Sequence, residues 1–228
     1  LHRLIRRQRQ MCIRDRLILD TETPFRESWA EIYAEHGLTV TPDTWAALLG
    51  SSSDPPEAYD LLEEHLARRV DRKGIHARRL ARELELLETE PAMPGVRELI
   101  EEARSRGLLL AIASSSERDW VIEHLRRLGL LLHFDAIVCS DDVERTKPAP
   151  DLYEKALEAL GVRPDEAIAF EDSIHGVAAA KAAGIFTVAV PNEVTRHLGN
   201  PNADLIVDSI DAMTLDRYIA AAKKTQAP

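Results

Sequence analysis

Two adjacent acids, Glu171 and Asp172, lie where an apolar run meets a helix start. The run from Ala167 to Phe170 is typical of a buried parallel strand, and Ser173 stands where a helix N-cap belongs. Because open α/β sheets bind ligands at the carboxyl ends of their strands, we expect both carboxylates at a ligand site. Adjacent carboxylates repel each other, and a hard cation beside a phosphate would hold them together. The alternative is a solvated acid pair in an ordinary strand–helix loop.

A run of three serines, Ser114, Ser115 and Ser116, follows a second apolar run at 108–113. Hydroxyls and free backbone N–H groups ahead of a helix form an oxyanion site, so all three serines are candidate phosphate ligands. The alternative is a plain serine N-cap, which is the helix role that we predict for Ser116.

Lys147 is the candidate cation of this site, and it follows a third apolar run at 134–139. Pro148 excludes Lys147 from helical geometry, so we expect its ammonium to project from an extended segment as a point charge for phosphate. The alternative is an ordinary surface lysine.

The overall composition is that of a soluble globular protein. The chain has 228 residues, of which 45% are hydrophobic and 30% charged, enough for one good core and a smaller second unit. Its net charge of −10 argues against nucleic acid or an anionic membrane as a partner. The two cysteines, Cys12 and Cys139, form no CxxC motif, which predicts a reducing, cytoplasmic setting.

Residues 1–16 differ sharply from the rest of the chain. They carry six arginines and one acid, a net charge of +5, whereas the remaining 212 residues carry −15. The segment 11–16, MCIRDR, looks like the translation of a transposase-end sequencing adaptor, and we predict that 1–16 is a non-native leader. A transit peptide is the alternative, although the segment has no serine. In either case only residues 11–13 could supply a first strand ahead of Leu17.

The remaining sequence predicts two kinds of structure. From Pro94 onward apolar strands alternate with helices, which predicts a parallel sheet covered by helices. Residues 23–91 show four helical patterns and no strand, so we expect a four-helix insert. The arginines between 68 and 82 are predicted to form a solvated face of this insert, with one or two that could reach an anionic substrate.

From Leu17 onward the sequence resembles the haloacid dehalogenase-like phosphatases, close to the branch that contains β-phosphoglucomutase and small sugar-phosphate phosphatases. Members carry Asp-x-Asp-Gly after a strand, a strand-end Ser or Thr, a Lys before Pro, and paired acids. Segments 113–116 (ASSS), 147–150 (KPAP) and 170–177 (FEDSIHGV) match the last three motifs. The resemblance implies an α/β fold with a Rossmann-like parallel sheet core, residues 17–22 and 92–228, and a helical cap, residues 23–91.

The resemblance also implies the chemistry of a phosphoric monoester hydrolase. An aspartate attacks phosphorus and forms an aspartyl-phosphate, while a second Asp two residues later protonates the leaving oxygen and then activates water. Mg²⁺ would be held by Asp172, by Glu171 directly or through water, and by the backbone around Asp15. Together with Lys147 and Ser114, this ion would offset the charge of the phosphoryl group.

The first motif departs from the family pattern. Counting back from Leu17 places the Asp-x-Asp-Gly frame on residues 13–16, IRDR. Ile13 then occupies the nucleophile position and cannot attack phosphorus, whereas Asp15 occupies the acid/base position. Arg16 replaces a glycine where the backbone must turn tightly. We therefore predict that the parent protein is an enzyme and that the chain as written is inactive.

The predicted function is Mg²⁺-dependent hydrolysis of a small phosphorylated metabolite by a monomer. One alternative is a sugar-phosphate mutase, and another is a catalytically silent phosphate-binding protein. Mutases of the branch resemble one another in carrying Lys-Asn after the serines and an Arg soon after a glycine of the cap. Here Glu117 and Arg118 follow the serines, and Ser-Ser-Ser-Asp follows Gly50, which favours the hydrolase.

Overall fold

The computed structural model describes residues 10–13, 15–41, 45, 55–191 and 202–225, with the backbone alone at 10–13, 15 and 16. The chain divides into two compact units. One unit comprises the residues up to Leu19 together with those from Pro91 onward, and the other comprises Asp20–Glu90.

The first unit contains a six-stranded sheet in the order β3-β2-β1-β4-β5-β6, and all its strand pairs are parallel. The strands are β1 (Gln10–Ile13), β2 (Leu110–Ala113), β3 (Ala136–Val138), β4 (Ala167–Glu171), β5 (Phe186–Ala189) and β6 (Leu205–Ile206). This sheet confirms the predicted α/β class and the predicted use of residues 11–13 as a strand. β1 is central, because it pairs with β2 on one side and β4 on the other.

Nine helices of four or more residues are assigned in the described part of the chain. They are α1 (Asp15–Ile18), α2 (Glu22–Glu35), α3 (Pro56–Leu66), α4 (Arg72–Thr89), α5 (Val96–Ser105), α6 (Arg118–Arg127), α7 (Asp151–Leu160), α8 (Ile174–Ala182) and α9 (Leu215–Thr225). Within the described ranges, none of these helices is long and apolar enough to cross a membrane.

Small side chains in the first unit let α7 and α8 approach the sheet closely. The core cluster on this side includes alanines from β2, β4 and α8, and Tyr153 of α7 is its largest member. α7 ends at Gly161, whose positive φ of 66° closes the helix as the sequence predicts. α8 begins at Ser173, whose hydroxyl accepts the Gly176 N–H at 3.1 Å and makes it the predicted N-cap.

The second unit has an aromatic core. The ring of Trp29 stacks on Tyr33 at 5.4 Å between centroids and meets Tyr59 edge-on at 4.9 Å. These three side chains join α2 to α3, and Ile75 of α4 belongs to the same cluster. Of the four helical patterns at 23–91, the one around Trp45 lies outside the described residues, apart from Trp45 itself, which is helical.

The prediction of a solvated arginine face is wrong for Arg79. Its side chain is only 2% exposed, and its guanidinium lies over the rings of Phe25 and Trp29 and pairs with Glu83 at 2.5 Å. Ion pairing and the stacking of a planar guanidinium on aromatic faces explain how this cation is buried.

Candidate active site

Three neighbouring strands end at one edge of the sheet. Ile13, the last residue of β1, lies opposite Ile112 on β2 and Phe170 on β4. Ser114 directly follows β2, and Asp172 directly follows β4. The register of the strands thus brings the predicted first, second and fourth motifs to the same edge.

Lys147 reaches this edge from the loop after β3, through a segment that contains a cis Lys147–Pro148 peptide bond. Its Nζ donates to the carbonyl oxygen of Ala113 at 2.7 Å and to Oε1 of Glu171 at 2.6 Å. The Lys147 side chain is 3% exposed. The alternative of an ordinary surface lysine is therefore wrong, because two acceptors at the sheet edge hold the ammonium inside. Proximity to the acid pair is present as predicted, while the role of Lys147 as a phosphate ligand stays a prediction.

Glu171 is the last residue of β4 rather than a loop residue, and its side chain is fully buried. Oε1 accepts a second hydrogen bond from the Tyr153 hydroxyl at 2.5 Å. The backbone of Glu171 is fixed as well, since the Glu171 carbonyl accepts the Val190 N–H at 2.7 Å. The described contacts of Glu171 are thus those of an ion-pair partner for Lys147, and its predicted metal ligation is not tested by them.

The serine run has a different internal structure from the one predicted. The Ser114 hydroxyl accepts the Ser116 N–H at 2.9 Å, and the Ser116 carbonyl accepts the N–H of Ser140 at 3.0 Å. α6 begins only after Glu117, which occupies the N-cap position, so the prediction of Ser116 as N-cap is wrong. The Ser114 hydroxyl closes a tight turn by accepting the Ser116 N–H. Ser116 therefore belongs to this turn, and the helix starts after it. Ser114 is buried, whereas Ser115 is exposed.

The Arg118 side chain of α6 is bound near the end of β3. Its guanidinium donates to Asp142 at 2.5 Å and to the Ile137 carbonyl at 2.9 Å. Its backbone N–H donates to Asp141 at 2.7 Å. These contacts direct the Arg118 side chain to the end of β3.

The sheet edge carries some of the oxygen ligands that a hard cation takes. Asp172 is 4% exposed and directly follows Glu171, so two carboxylates lie together at the end of β4. Such oxygens are the ligands that Mg²⁺ takes. Oε1 of Glu171 accepts two hydrogen bonds, which leaves fewer of its lone pairs for a metal ion. Within the described ranges no three His, Cys, Asp or Glu side chains form a metal cluster, and the side chain of Asp15 lies outside them.

Tyr153 is a site residue that sequence reasoning missed. It lies on the buried face of α7 among Leu152, Ala156, Leu157 and Leu160, so its spacing indicates only a core position. A buried tyrosine hydroxyl needs a hydrogen-bond partner, which is the one available signal, but the sequence does not say which partner it finds.

Comparisons with known proteins identify a family. The sequence model of the haloacid dehalogenase-like hydrolases matches residues 15–190. YhcW of Bacillus subtilis (strain 168) is 39% identical over 201 residues, which cover 88% of this chain and 91% of that protein. The phosphorylated carbohydrates phosphatase of Thermotoga maritima is 35% identical over 173 residues, 75% of this chain and 79% of the relative.

A solved structure extends the likeness to nearly the whole fold. The crystal structure of a Thermotoga maritima protein assigned as a β-phosphoglucomutase matches with a TM-score of 0.75 and 28% identity. The match covers 94% of this chain and 99% of that one.

Proposed function

Because this chain belongs to the haloacid dehalogenase-like hydrolases, we propose that its sheet edge is the site of an Mg²⁺-dependent phosphatase acting on a small phosphomonoester, such as a sugar phosphate. The observation that carries the proposal is the buried Lys147 ammonium. It contacts Glu171 and the carbonyl of Ala113, the residue directly before Ser114. A cation fixed beside a strand-end hydroxyl and an acid pair is suited to a phosphate dianion.

Each group has a distinct part in this proposal. The Lys147 ammonium and the Ser114 segment bind and orient the phosphoryl oxygens, which provides electrostatic stabilisation as negative charge moves during transfer. Asp172 and the backbone near Asp15 would hold Mg²⁺, and Glu171 would position Lys147 or contact the ion through water. The bound metal would supply further charge neutralisation. Asp15 would protonate the leaving oxygen and later activate water.

The second unit, residues 20–90, would serve as the cap that selects the substrate. The DTET segment at 20–23 marks its start, and Asp20 accepts the N–H groups of Glu22 and Thr23 at 2.9 and 3.1 Å. This Asx-type turn is a compact way to leave the sheet unit and begin α2.

Ile13 occupies the nucleophile position in this proposal. An isoleucine side chain has no lone pair to offer phosphorus, so the covalent step has no starting group. We therefore propose that the chain binds phosphate but does not hydrolyse its esters. The parent protein would carry an aspartate at this position.

Hydrolysis rather than mutase chemistry is favoured by Arg118. A mutase must grip a second phosphate, and the Arg118 guanidinium is already bound to Asp142 and the Ile137 carbonyl. The residue after the serine run is Glu117, an acid that would repel a phosphate.

Titration of the chain with inorganic phosphate in the presence of Mg²⁺ tests the proposal. We expect the chain to bind phosphate, and Lys147→Met to lower the affinity at least tenfold, since a buried charge-assisted contact is lost. Lys155→Met is the matched control, because Lys155 is exposed and donates to the Asp142 carbonyl. Equal loss in both variants, or phosphate binding unaffected by Lys147→Met, would contradict the assignment of Lys147.

A further inference from the structure

We propose that Tyr153 and Gly176 are positioning residues for Lys147, because together they fix the Glu171 carboxylate that holds its ammonium. The consequence for phosphate binding rests on the function proposed above. The positioning itself can be tested without that function.

Tyr153 contacts both members of the buried ion pair. Its hydroxyl donates to Oε1 of Glu171 at 2.5 Å, and the same oxygen accepts from Lys147 at 2.6 Å. The Lys147 Nζ also lies 5.0 Å from the centroid of the Tyr153 ring. One side chain therefore offers a hydrogen bond to the anion and an aromatic face to the cation.

Gly176 bounds the other oxygen of the carboxylate. A Cβ at position 176 would lie 1.8 Å from Oε2 of Glu171 and 2.0 Å from its Cδ, so no other residue fits without displacing the carboxylate. Gly176 itself cannot move away easily, because its N–H is bound by the Ser173 cap in the first turn of α8. The Glu171 carboxylate is thus held between the Tyr153 hydroxyl and the backbone of α8.

The position of Lys147 depends on this arrangement. Lysine is a point charge on a flexible four-carbon stem, and a buried ion pair contributes favourably only when its geometry is well held. Lys147 and Glu171 are 3% and 0% exposed, so solvent does not replace a lost partner readily. Loosening of Glu171 should therefore be transmitted to the Lys147 ammonium.

Amine acetylation of the full chain tests the positioning. The rate at which N-hydroxysuccinimide acetate modifies Lys147 is followed by peptide mass spectrometry, with Lys223 of α9 as the internal reference. We expect Tyr153→Phe to accelerate modification of Lys147 relative to Lys223 by about tenfold or more, as for loss of a hydrogen bond to a charged group.

Tyr218→Phe is the matched control for this variant. Tyr218 is also fully buried, but its hydroxyl donates to the Ile210 backbone carbonyl at 2.9 Å. We expect unchanged Lys147 acetylation in Tyr218→Phe. Equal rates of Lys147 acetylation in the unsubstituted chain and in Tyr153→Phe would overturn the proposal. Equal acceleration in Tyr153→Phe and Tyr218→Phe would overturn it as well.

A second pair of variants keeps the test decisive if Tyr153→Phe fails to fold. Gly176→Ala should displace the Glu171 carboxylate and accelerate Lys147 acetylation by a similar factor. Gly74→Ala is its control, since Gly74 likewise donates its N–H to the N-cap side chain of its helix, Asp71. An unchanged Lys147 rate in Gly176→Ala would contradict the proposal.

Phosphate titration separates this inference from the proposed function. Inorganic phosphate should bind Tyr153→Phe about threefold to tenfold more weakly than Tyr218→Phe, because the ammonium is less well placed. If the unsubstituted chain bound no phosphate, the proposed function would be wrong. Acetylation would still test the positioning of Lys147. If acetylation changed and phosphate affinity did not, the consequence for binding would be wrong.

Discussion

The pairing of Lys147 with Glu171 sets the electrostatics of the candidate site. Both side chains are buried. Glu171 also accepts a hydrogen bond from Tyr153, and Lys147 also donates one to the Ala113 carbonyl. A buried pair of this kind stabilises the fold little relative to apolar residues of similar size. In the proposed function, this pair holds a cation at a fixed place at the sheet edge.

The variant Asp172→Asn tests the proposed metal ligand. We expect Mg²⁺ affinity, measured by calorimetric titration of the chain, to fall at least tenfold, because a hard anionic ligand becomes a neutral one. The melting temperature should change little in the absence of Mg²⁺. Asp165→Asn is the control, since the Asp165 side chain is 47% exposed and pairs with Arg163. Unchanged Mg²⁺ affinity in Asp172→Asn would remove Asp172 from the site.

Sequence reasoning found the charged members of the site and missed the residues that hold them. Asp172, Glu171 and Lys147 could be predicted because strand ends and an X-Pro step limit where their side chains can go. The contact of Tyr153 with Glu171 joins α7 to β4 across 18 residues, and no local pattern encodes it. The need for Gly176 is visible only once the Glu171 carboxylate has been placed against α8.

The connection between helices α3 and α4 is fixed by one acid. Glu63 accepts hydrogen bonds from Arg69, from Arg72 and from the N–H of Val70. The hydrogen bond from Arg72 is the main cause that lowers the pKa of Glu63 to about 2, and the contacts with Val70 and Arg69 add to it. Glu63 thus ties the loop at 67–71 to both flanking helices.

This connection predicts an acid sensitivity of the second unit. A carboxylate whose pKa is lower in the folded state stabilises it above its unfolded pKa, and the stabilisation is lost as the pH falls through the folded value. We therefore expect the contribution of Glu63 to fade between about pH 4.5 and about pH 2. Urea unfolding at a series of pH values should show a weaker acid dependence for Glu63→Gln than for the parent.

Glu64→Gln provides the comparison for that experiment. Glu64 is exposed on the same helix, and we expect the variant to keep the acid dependence of the parent. The same acid dependence in Glu63→Gln and in the parent would show that the Arg69 and Arg72 contacts of Glu63 do not link stability to pH.

The elements that could be predicted are those with strong local patterns. The sequence predicts helices at 117–128 and 150–160, and α6 and α7 agree with these bounds to within one residue. Apolar spacing marks both helices, and Gly161 marks the end of α7. β2 and β3 are shorter than the apolar runs that predicted them, since hydrogen-bonded pairing covers only part of each run. Sheet order could not be read from local pattern, because pairing depends on contacts between distant segments.

Across the fold, one edge of the sheet brings together groups from segments that are far apart in sequence. Ser114 follows β2, Lys147 follows β3, and the acid pair ends β4. β1 runs between β2 and β4 and ends at Ile13, so the position expected of the nucleophile lies at the centre of this arrangement. In the proposed function, the site is otherwise assembled and lacks only the nucleophile and its glycine turn.

Repair of the first motif tests whether the site lacks only these groups. Residues 11–16 are replaced by an apolar strand end followed by Asp-x-Asp-Gly, and hydrolysis of 4-nitrophenyl phosphate is measured with and without Mg²⁺ for both chains. We predict no turnover by the chain as it stands and Mg²⁺-dependent turnover by the repaired chain, a difference of several orders of magnitude, as for loss of a catalytic nucleophile elsewhere. Turnover of the unrepaired chain at the repaired rate would show that Ile13 does not abolish activity. So would a repaired chain that folds, binds Mg²⁺ and stays inert across a broad panel of phosphomonoesters.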